Sequence, residues 1–527
     1  MACPELRGGS QACRLWEADQ IVNRPHNVLI VSDLHLSQGW NPATARTSRL
    51  EDFLRDDAFD RFLRHHEAVK SQPRFGDRPW LLILNGDIFD FLQVVSLPRE
   101  GRELREVKGV RHRNQLSPHE RQYGLGTTAV ETEWKLKQIA KGHQRFFAAL
   151  GWFVAQGNHI AIIRGNHDVE LHWPEVQDRF TVEERRAYTR RWLRVGGIPP
   201  VGPDTCRERI HFHPWFYHEP GRIYVEHGCQ YDAANHFRDI LDPVLPDDAR
   251  RIDLPWGSLF VRYLFNKVED LHPFADNVKP LTRYMRWAFR TNPAKAIEVL
   301  VRRGWAFMKA FWMMGRKATE AALHRGDEGE EPARKQLPLP PQVAERIRAL
   351  ADDWVSAAWQ VWLGSFLRAL VSVMTALVIA AFVGLTGVSL FLDRVPGWQA
   401  GAYAASALVA LLLRRGLLTS FSRLLERDDL LSAAFELERI LAPPHAVPVI
   451  VMGHNHDPTI QRLKDAWYVN TGAWVPLYQR EGPIEGREVL TFCRIAWDHE
   501  GPPELLRWDD AGGAPTRLVV WDDARSR

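Results

Sequence analysis

Five short apolar runs in this chain stop on the same kind of residue. Asn27–Ser32 ("NVLIVS") runs into Asp33-Leu34-His35, and Trp80–Asn85 ("WLLILN") into Gly86-Asp87-Ile88-Phe89-Asp90. Ile160–Arg164 ("IAIIR") meets Gly165-Asn166-His167-Asp168, and Arg222–Glu226 ("RIYVE") meets His227-Gly228. Far downstream, Val447–Met452 ends in Gly453-His454-Asn455-His456. Runs this short and this apolar read as strands buried on both faces. In open α/β sheets, ligands gather at the carboxyl ends of the strands. A chain that ends five buried strands in Asp, Asn or His is therefore constrained to bring those ends together.

Taken singly, each tip is weak. An Asp-x-His after a strand is ordinary loop chemistry, His227 alone carries little, and Gly-Asn-His-Asp could be a turn. Gly-His-Asn-His is more pointed, because two imidazoles at one strand end converge where something binds them. In series, the tips point to a metal site.

The segments between the runs support the same layout. Glu131–Val154 reads as a helix, and the alternation of strands and helices in the first half predicts an α/β sandwich. Strand-like runs return at Trp467–Asn470, Val489–Ile495 and Arg517–Trp521. The net charge of +3 is too mild to imply a nucleic-acid surface. Five scattered cysteines, Cys3, Cys13, Cys206, Cys229 and Cys493, form no CxxC pair and argue against a disulfide scaffold. The first twenty residues contain no apolar core of a secretion signal, which sets the expectation of a reducing compartment.

The middle of the chain differs. Three regions are expected: 24–245 and 427–527 as two parts of one domain, and 246–426 as a helical insertion between them. Within the insertion, Arg283–Lys317 is basic, aromatic and helix-like, and 325–342 is a charged, proline-rich linker. Ala369–Leu392 follows as 24 residues without a charge, then Val395–Leu413 as 19 more. As helices these would be about 36 and 28 Å long, close to a hydrocarbon core of about 30 Å. They are read as a transmembrane hairpin. Arg368 before it and Arg414-Arg415 after it place both open ends on the cytoplasmic side. His227 and His454 stand on either side of the insertion, so an even number of spans is required for them to meet.

In this order the strand tips resemble the pattern of the calcineurin-like metallophosphoesterases: Asp-x-His, Gly-Asp-x-x-Asp, Gly-Asn-His-Asp/Glu, His, Gly-His-x-His. The resemblance implies a four-layer αββα sandwich, here interrupted by the helical insertion, with two divalent metal ions at its edge. It implies that Asp33, His35 and His456 bind one ion, that Asn166, His227 and His454 bind the other, and that Asp87 bridges them. A bridging hydroxide would attack a phosphate ester or anhydride. His167 would stand over the leaving group and Asp90 would orient it, while Asp168 would be a structural partner. Mixed oxygen and nitrogen ligands suit Mn, foremost, and Fe, Zn, Co or Ni rather than Ca. The segments "HGCQYDAAN" and "YVNTGAWVP" also resemble the branch containing UDP-2,3-diacylglucosamine pyrophosphatases, although that branch carries Arg where His167 stands.

These readings converge on a hydrolase at the inner or cytoplasmic membrane, its catalytic domain facing the cytoplasm. Its substrate would be a phosphorylated small molecule or a lipid-linked phosphate, and not nucleic acid. The competing readings are a cyclic-nucleotide phosphodiesterase or nuclease, and a non-catalytic metal-binding scaffold. Five further features carry expectations. The basic block Gly101–Gln115 would cap the site and attract an anion. Arg164 would meet a phosphate or solvent, His172 could touch substrate, and His65-His66 would be exposed helix positions. His211 and His213 are assigned to a strand surface or a pocket rim, outside the metal set.

Overall fold

The computed structural model describes residues 25–42, 44–194, 207–232, 234–266, 291, 337–352, 429–478, 486–487, 489–498 and 501–518. Twelve strands form two sheets. In chain order they are β1 (Asn27–Val31), β2 (Trp80–Asn85), β3 (His159–Ile163), β4 (Ile210–His213), β5 (Phe216–Glu219) and β6 (Ile223–Glu226). After the insertion come β7 (Val449–Met452), β8 (Thr459–Arg462), β9 (Trp467–Asn470), β10 (Thr491–Ile495), β11 (Glu504–Asp509) and β12 (Ala514–Arg517). The first sheet has the order β12-β11-β10-β1-β2-β3-β4, parallel from β1 to β4 and antiparallel from β1 to β12. The second has the order β8-β9-β7-β6-β5, with β6, β7 and β9 parallel.

Alternation explains why the runs are apolar at every position. Val28 and Ile30 of β1, Leu81 and Ile83 of β2, and Val225 and Val451 of the other sheet share one buried cluster, so the two sheets pack face to face. The intervening residues point the other way. Leu29, Val31, Leu82 and Leu84 join a core with four helices: α1 (Asp56–Val69), α2 (Ala129–Gly142), α3 (Gln144–Ala155) and α4 (Pro174–Arg194). On the far side, Tyr224, Ile450 and Tyr468 pack with α5 (Asp429–Ile440) and with Ile347 and Ala351. The layers therefore run helix, sheet, sheet, helix. Each buried Leu, Ile or Val contributes about 1.5–3 kcal/mol.

Both parts of the chain share these sheets. β7, from beyond the insertion, pairs with β6, and β10 pairs with β1. That pairing makes residues more than 200 apart neighbours at one sheet edge. No described helix is long and apolar enough to cross a membrane. The two uncharged segments 369–392 and 395–413, the basic helix-like stretch 283–317 apart from residue 291, and most of the linker lie outside the described residues.

The single helix expected over Glu131–Val154 is two. α2 starts at a Thr128/Glu131 capping box, and the chain turns at His143, whose φ of −113° and ψ of 44° are not helical. His143 is buried between Glu51, at 3.1 Å, and Asp56, at 3.0 Å. Glu51 in turn accepts the backbone N–H groups of Ser37, Gly39 and Phe53, tying down the loop that leaves His35. Burial alone would lower the His143 pKa, but the charges of Glu51 and Asp56 outweigh it and push it up to about 10. A folded-state pKa raised above the ordinary 6.5 stabilises fully below 6.5, and that stabilisation is lost as pH rises through about 10. His143→Leu should lose about 3–5 kcal/mol at pH 6, because it leaves two carboxylates without their cation. Denaturant melts of both proteins at pH 6 and pH 10 check this, and the gap should narrow at the higher pH.

Two sequence expectations are corrected here. His66 is not exposed: it is fully buried, its Nδ1 donates to the Phe62 carbonyl at 2.8 Å, and its ring meets Trp80 and Phe492 edge-on. His65 beside it is half-buried. Arg164 meets neither phosphate nor solvent. It is buried and its guanidinium donates to the carbonyls of Pro214 and Ile240, clamping two loops together.

Candidate metal centre

The tips of β1 and β2 stay zipped beyond the sheet. Asp33 N–H donates to the Gly86 carbonyl at 3.1 Å, and Leu34 and His35 both donate to the Asp87 carbonyl at 2.9 Å. The second sheet joins through Gly453 N–H to the His227 carbonyl at 3.0 Å and through Asn85 Nδ2 to the Glu226 carbonyl at 3.0 Å. Asp33, His35, Asp87, His454 and His456 all have positive φ, from 51° to 70°. Only three other described non-glycine residues do so. Left-handed backbone is costly for such residues and persists where surrounding structure holds it, often at functional sites.

The residues singled out in the sequence come together as follows. Asp33, His35 and His456 form one group, and Asp87, His227 and His454 another, each with one ligating atom per residue within 4.8 Å of the others. In the first group the Nε2 atoms of His35 and His456 stand 3.2 Å apart, and His456 Nε2 is 3.2 Å from Asp33 Oδ1. In the second, His227 Nε2 is 3.1 Å from Asp87 Oδ2, and the His227 and His454 rings have centroids 5.2 Å apart. The two histidines on either side of the insertion are thus close enough to share an ion.

Neighbouring bonds aim these donors inward. His227 Nδ1 lies 2.9 Å from the Asn85 carbonyl, which can only accept, so Nδ1 carries a proton and Nε2 is the nitrogen turned toward Asp87, able to bind an ion once it gives up its own proton. Asn166 Nδ2 donates to Asn235 Oδ1 at 3.3 Å, which turns the Asn166 oxygen the opposite way. That oxygen is buried without a hydrogen bond, as is His35 Nδ1. Buried polar atoms of this kind are rare in folded proteins and call for an ion or water. The donor set, carboxylate and amide oxygens with imidazole nitrogens, fits a first-row divalent ion.

The electrostatics agree. Burial raises the Asp33 carboxyl, but the charge of His456 and other neighbours outweighs it and brings the pKa down to about 2. Asp87 is held well below the usual carboxylate range in the same way, chiefly by His227 and His167. In return, Asp87 overcomes burial and pushes His227 up to about 9. Deprotonated carboxylates that recruit imidazolium as counter-charge describe a site that demands positive charge.

His167 stands beside both groups. Its backbone N–H donates to Asp87 Oδ1 at 2.8 Å, its Nδ1 is 2.6 Å from Asp90 Oδ2, and its ring packs edge-on against His35 at 4.7 Å. Burial raises the Asp90 carboxyl, yet the charge of His167 holds it below its ordinary value. Asp168 accepts the N–H groups of Gly165, Ile88 and Phe89, so it fastens the third tip to the second. His172 is 3.6 Å from Asp242 and packs on Trp173.

Two glycines make the packing possible. A Cβ on Gly86 would lie 2.5 Å from the His227 ring, and one on Gly165 would collide with Asp87 Oδ1 and the Asp87 backbone nitrogen. Gly165→Ala should therefore displace Asp87. A shift of about 1 Å at such a centre costs on the order of 10²-fold in rate. Activity at saturating Mn²⁺, with metal affinity measured alongside, checks this.

Three residues outside the sequence-derived set, Asp232, Asn235 and Ser258, touch the candidate ligands directly or through one another. Asp232 Oδ2 lies 3.0 Å from His454 Nε2 and accepts from Asn235 Nδ2 at 2.8 Å, so His454, Asp232, Asn235 and Asn166 form one polar chain. From the start of the insertion, Ser258 Oγ donates to the Asn166 carbonyl at 3.2 Å, and Asn266 Nδ2 to the Leu92 carbonyl at 2.8 Å. The basic block Gly101–Gln115 is spent largely on structure. Lys108 is held between Glu120 and Glu131, each at 2.6 Å, and Arg102 pairs with Glu106.

Comparison with curated proteins yields no match. Comparison with protein families matches residues 26–302, just over half of the chain, to Metallophos, the calcineurin-like phosphoesterases. The match ends before His454 and His456, which reach the site through the pairing of β7 with β6. With the tips of β1, β2 and β3 and His227 inside the matched region and groups able to hold a metal at their meeting point, the chain belongs to the calcineurin-like phosphoesterase family, which implies metal-dependent phosphoester hydrolysis.

Proposed function

We propose that the chain hydrolyses a phosphate ester or phosphoanhydride with two divalent ions, Mn²⁺ foremost. Asp33, His35 and His456 would hold one ion, Asn166, His227 and His454 the other, and Asp87 both. The observation that carries this reading is the adjacency of two ligand groups on one edge, with the His167–Asp90 pair against them. When bound, such ions polarise a phosphoryl group and supply hydroxide near neutral pH.

The protein's own groups do the rest. Asp90 accepts from Nδ1 of His167 and holds the ring in one orientation, so Nε2 is the nitrogen that delivers a proton to the leaving oxygen. The backbone N–H of His167, bonded to Asp87, keeps acid and ligand in fixed register. Asn85 fixes the tautomer of His227, and Asp232 holds His454.

The reading extends to attachment at a membrane through 369–392 and 395–413, on the strength of their length and lack of charge. Sedimentation of the expressed protein with membranes supports it, and a soluble fraction without detergent overturns that part alone. Activity is tested by reconstituting the protein with Mn²⁺, Zn²⁺, Fe²⁺, Co²⁺ or Ni²⁺ against phosphomonoesters, phosphodiesters and nucleotide pyrophosphates. Turnover on one class, abolished by chelation and restored by metal, is the expected result. Inertness on every class with every metal overturns the hydrolase reading.

A further inference from the structure

α3 must run back to the start of β3, so the turn between α2 and α3 lies at the same sheet edge as the strand tips. There it meets the loops that follow His35 and Asp90. Gln38 Nε2 donates to Ser96 Oγ, joining the two loops, and a Cβ on Gly142 would strike the Gln38 carbonyl. The three segments line a half-open cavity of about 750 Å³. Gln38 is three residues from His35, so the cavity begins within about 11 Å of the metal-site backbone.

Its charge is one-sided. Arg46, Arg99, Arg113 and Lys141 line it, against the single carboxylate of Glu103. Glu103 is itself engaged, accepting from Trp134 Nε1 at 2.7 Å and from the Arg99 N–H at 3.0 Å. Among the described residues, none of the four cations forms an ion pair with a carboxylate. Arg113 instead donates to the carbonyls of Leu97 and Pro98, which fixes its position without offsetting its charge. This contrasts with Lys108 and Arg102 nearby, whose charges are matched. Trp40 lines the same cavity and is half exposed. An exposed Trp beside four cations, which outnumber the one carboxylate that Lys141 and Arg99 act on, offers a stacking face for a flat ring, and Arg and Lys are the usual phosphate partners. The volume suits a nucleotide-sized group.

We propose that this cavity binds the leaving-group side of the substrate, and that this portion carries a second phosphate and a flat ring against Trp40, as a nucleoside diphosphate does. The term leaving group rests on the hydrolase reading above, whereas the binding does not. Calorimetric titration of the full-length, Mn²⁺-loaded protein with methylenediphosphonate and with α,β-methylene-ADP tests it, because neither probe is cleaved between its phosphorus atoms.

Arg46→Gln combined with Lys141→Gln should weaken both probes at least about tenfold, through lost charge at exposed positions that the fold does not need. Trp40→Ala should weaken the ADP analogue by a similar factor and leave the diphosphonate within about twofold. Equal affinities in wild type and all variants overturn the proposal, as does a wild type that binds neither probe. Wild-type turnover in the metal-reconstituted screen over monoesters, diesters and nucleotide pyrophosphates reports on the hydrolase reading separately: if every class is inert while the binding differences persist, only that reading falls.

Discussion

Asp87→Asn should abolish turnover, lowering kcat by at least about 10³-fold, or ~4 kcal/mol in the barrier. The reason lies in what surrounds this one side chain. Oδ2 stands 3.1 Å from His227 Nε2, and Oδ1 accepts the His167 N–H at 2.8 Å. An amide of the same shape keeps the volume and offers an acceptor, but it removes the charge that two cations would share. Melting temperature should fall as well, because His227 loses the buried anion that it faces and bound metal stabilises the fold less. Metal content by plasma mass spectrometry should drop with activity. A variant that keeps full activity and full metal content contradicts the role given to Asp87.

His167→Ala should act on the chemistry instead. General acids contribute about 10²–10⁴-fold, and the loss should appear in kcat with metal content unchanged. The size of the loss should follow the leaving group. An alkyl phosphate needs its departing oxygen protonated and should suffer the full effect, whereas p-nitrophenolate leaves without help and should suffer much less. Asp90→Asn should show the same pattern more weakly, because it frees the His167 ring without removing it. Equal losses on both leaving groups would assign His167 to binding rather than to proton delivery.

The sandwich was legible because its strands are buried on both faces, which leaves no polar position inside a run such as "NVLIV" or "WLLIL". The site was legible for a related reason: a residue such as Asp33 or His454 placed where a buried strand stops has few structural duties. What escaped the sequence depends on tertiary contact. Asp232 and Asn235 fall in the quoted segment "HGCQYDAAN", but their partners lie 222 and 69 positions away, so the segment alone does not show which side chains they hold. Ser258 reaches Asn166 from inside the insertion, where the sequence gives only composition. The two side chains that the structure corrects are Arg164, expected at a phosphate or in solvent, and His66, expected on an exposed helix face. Each is buried because backbone carbonyls of Pro214 and Ile240, or of Phe62, satisfy it.

The central claim is that distant strand tips converge to hold two cations. Crystals grown with Mn²⁺ and measured at the manganese absorption edge test it most directly. The account predicts two anomalous peaks. One should lie within about 2.0–2.2 Å of ligand atoms of Asp33, His35 and His456, and the other of Asn166, His227 and His454, with Asp87 between them. Peaks elsewhere, or an active enzyme with no peak at either group, would contradict it.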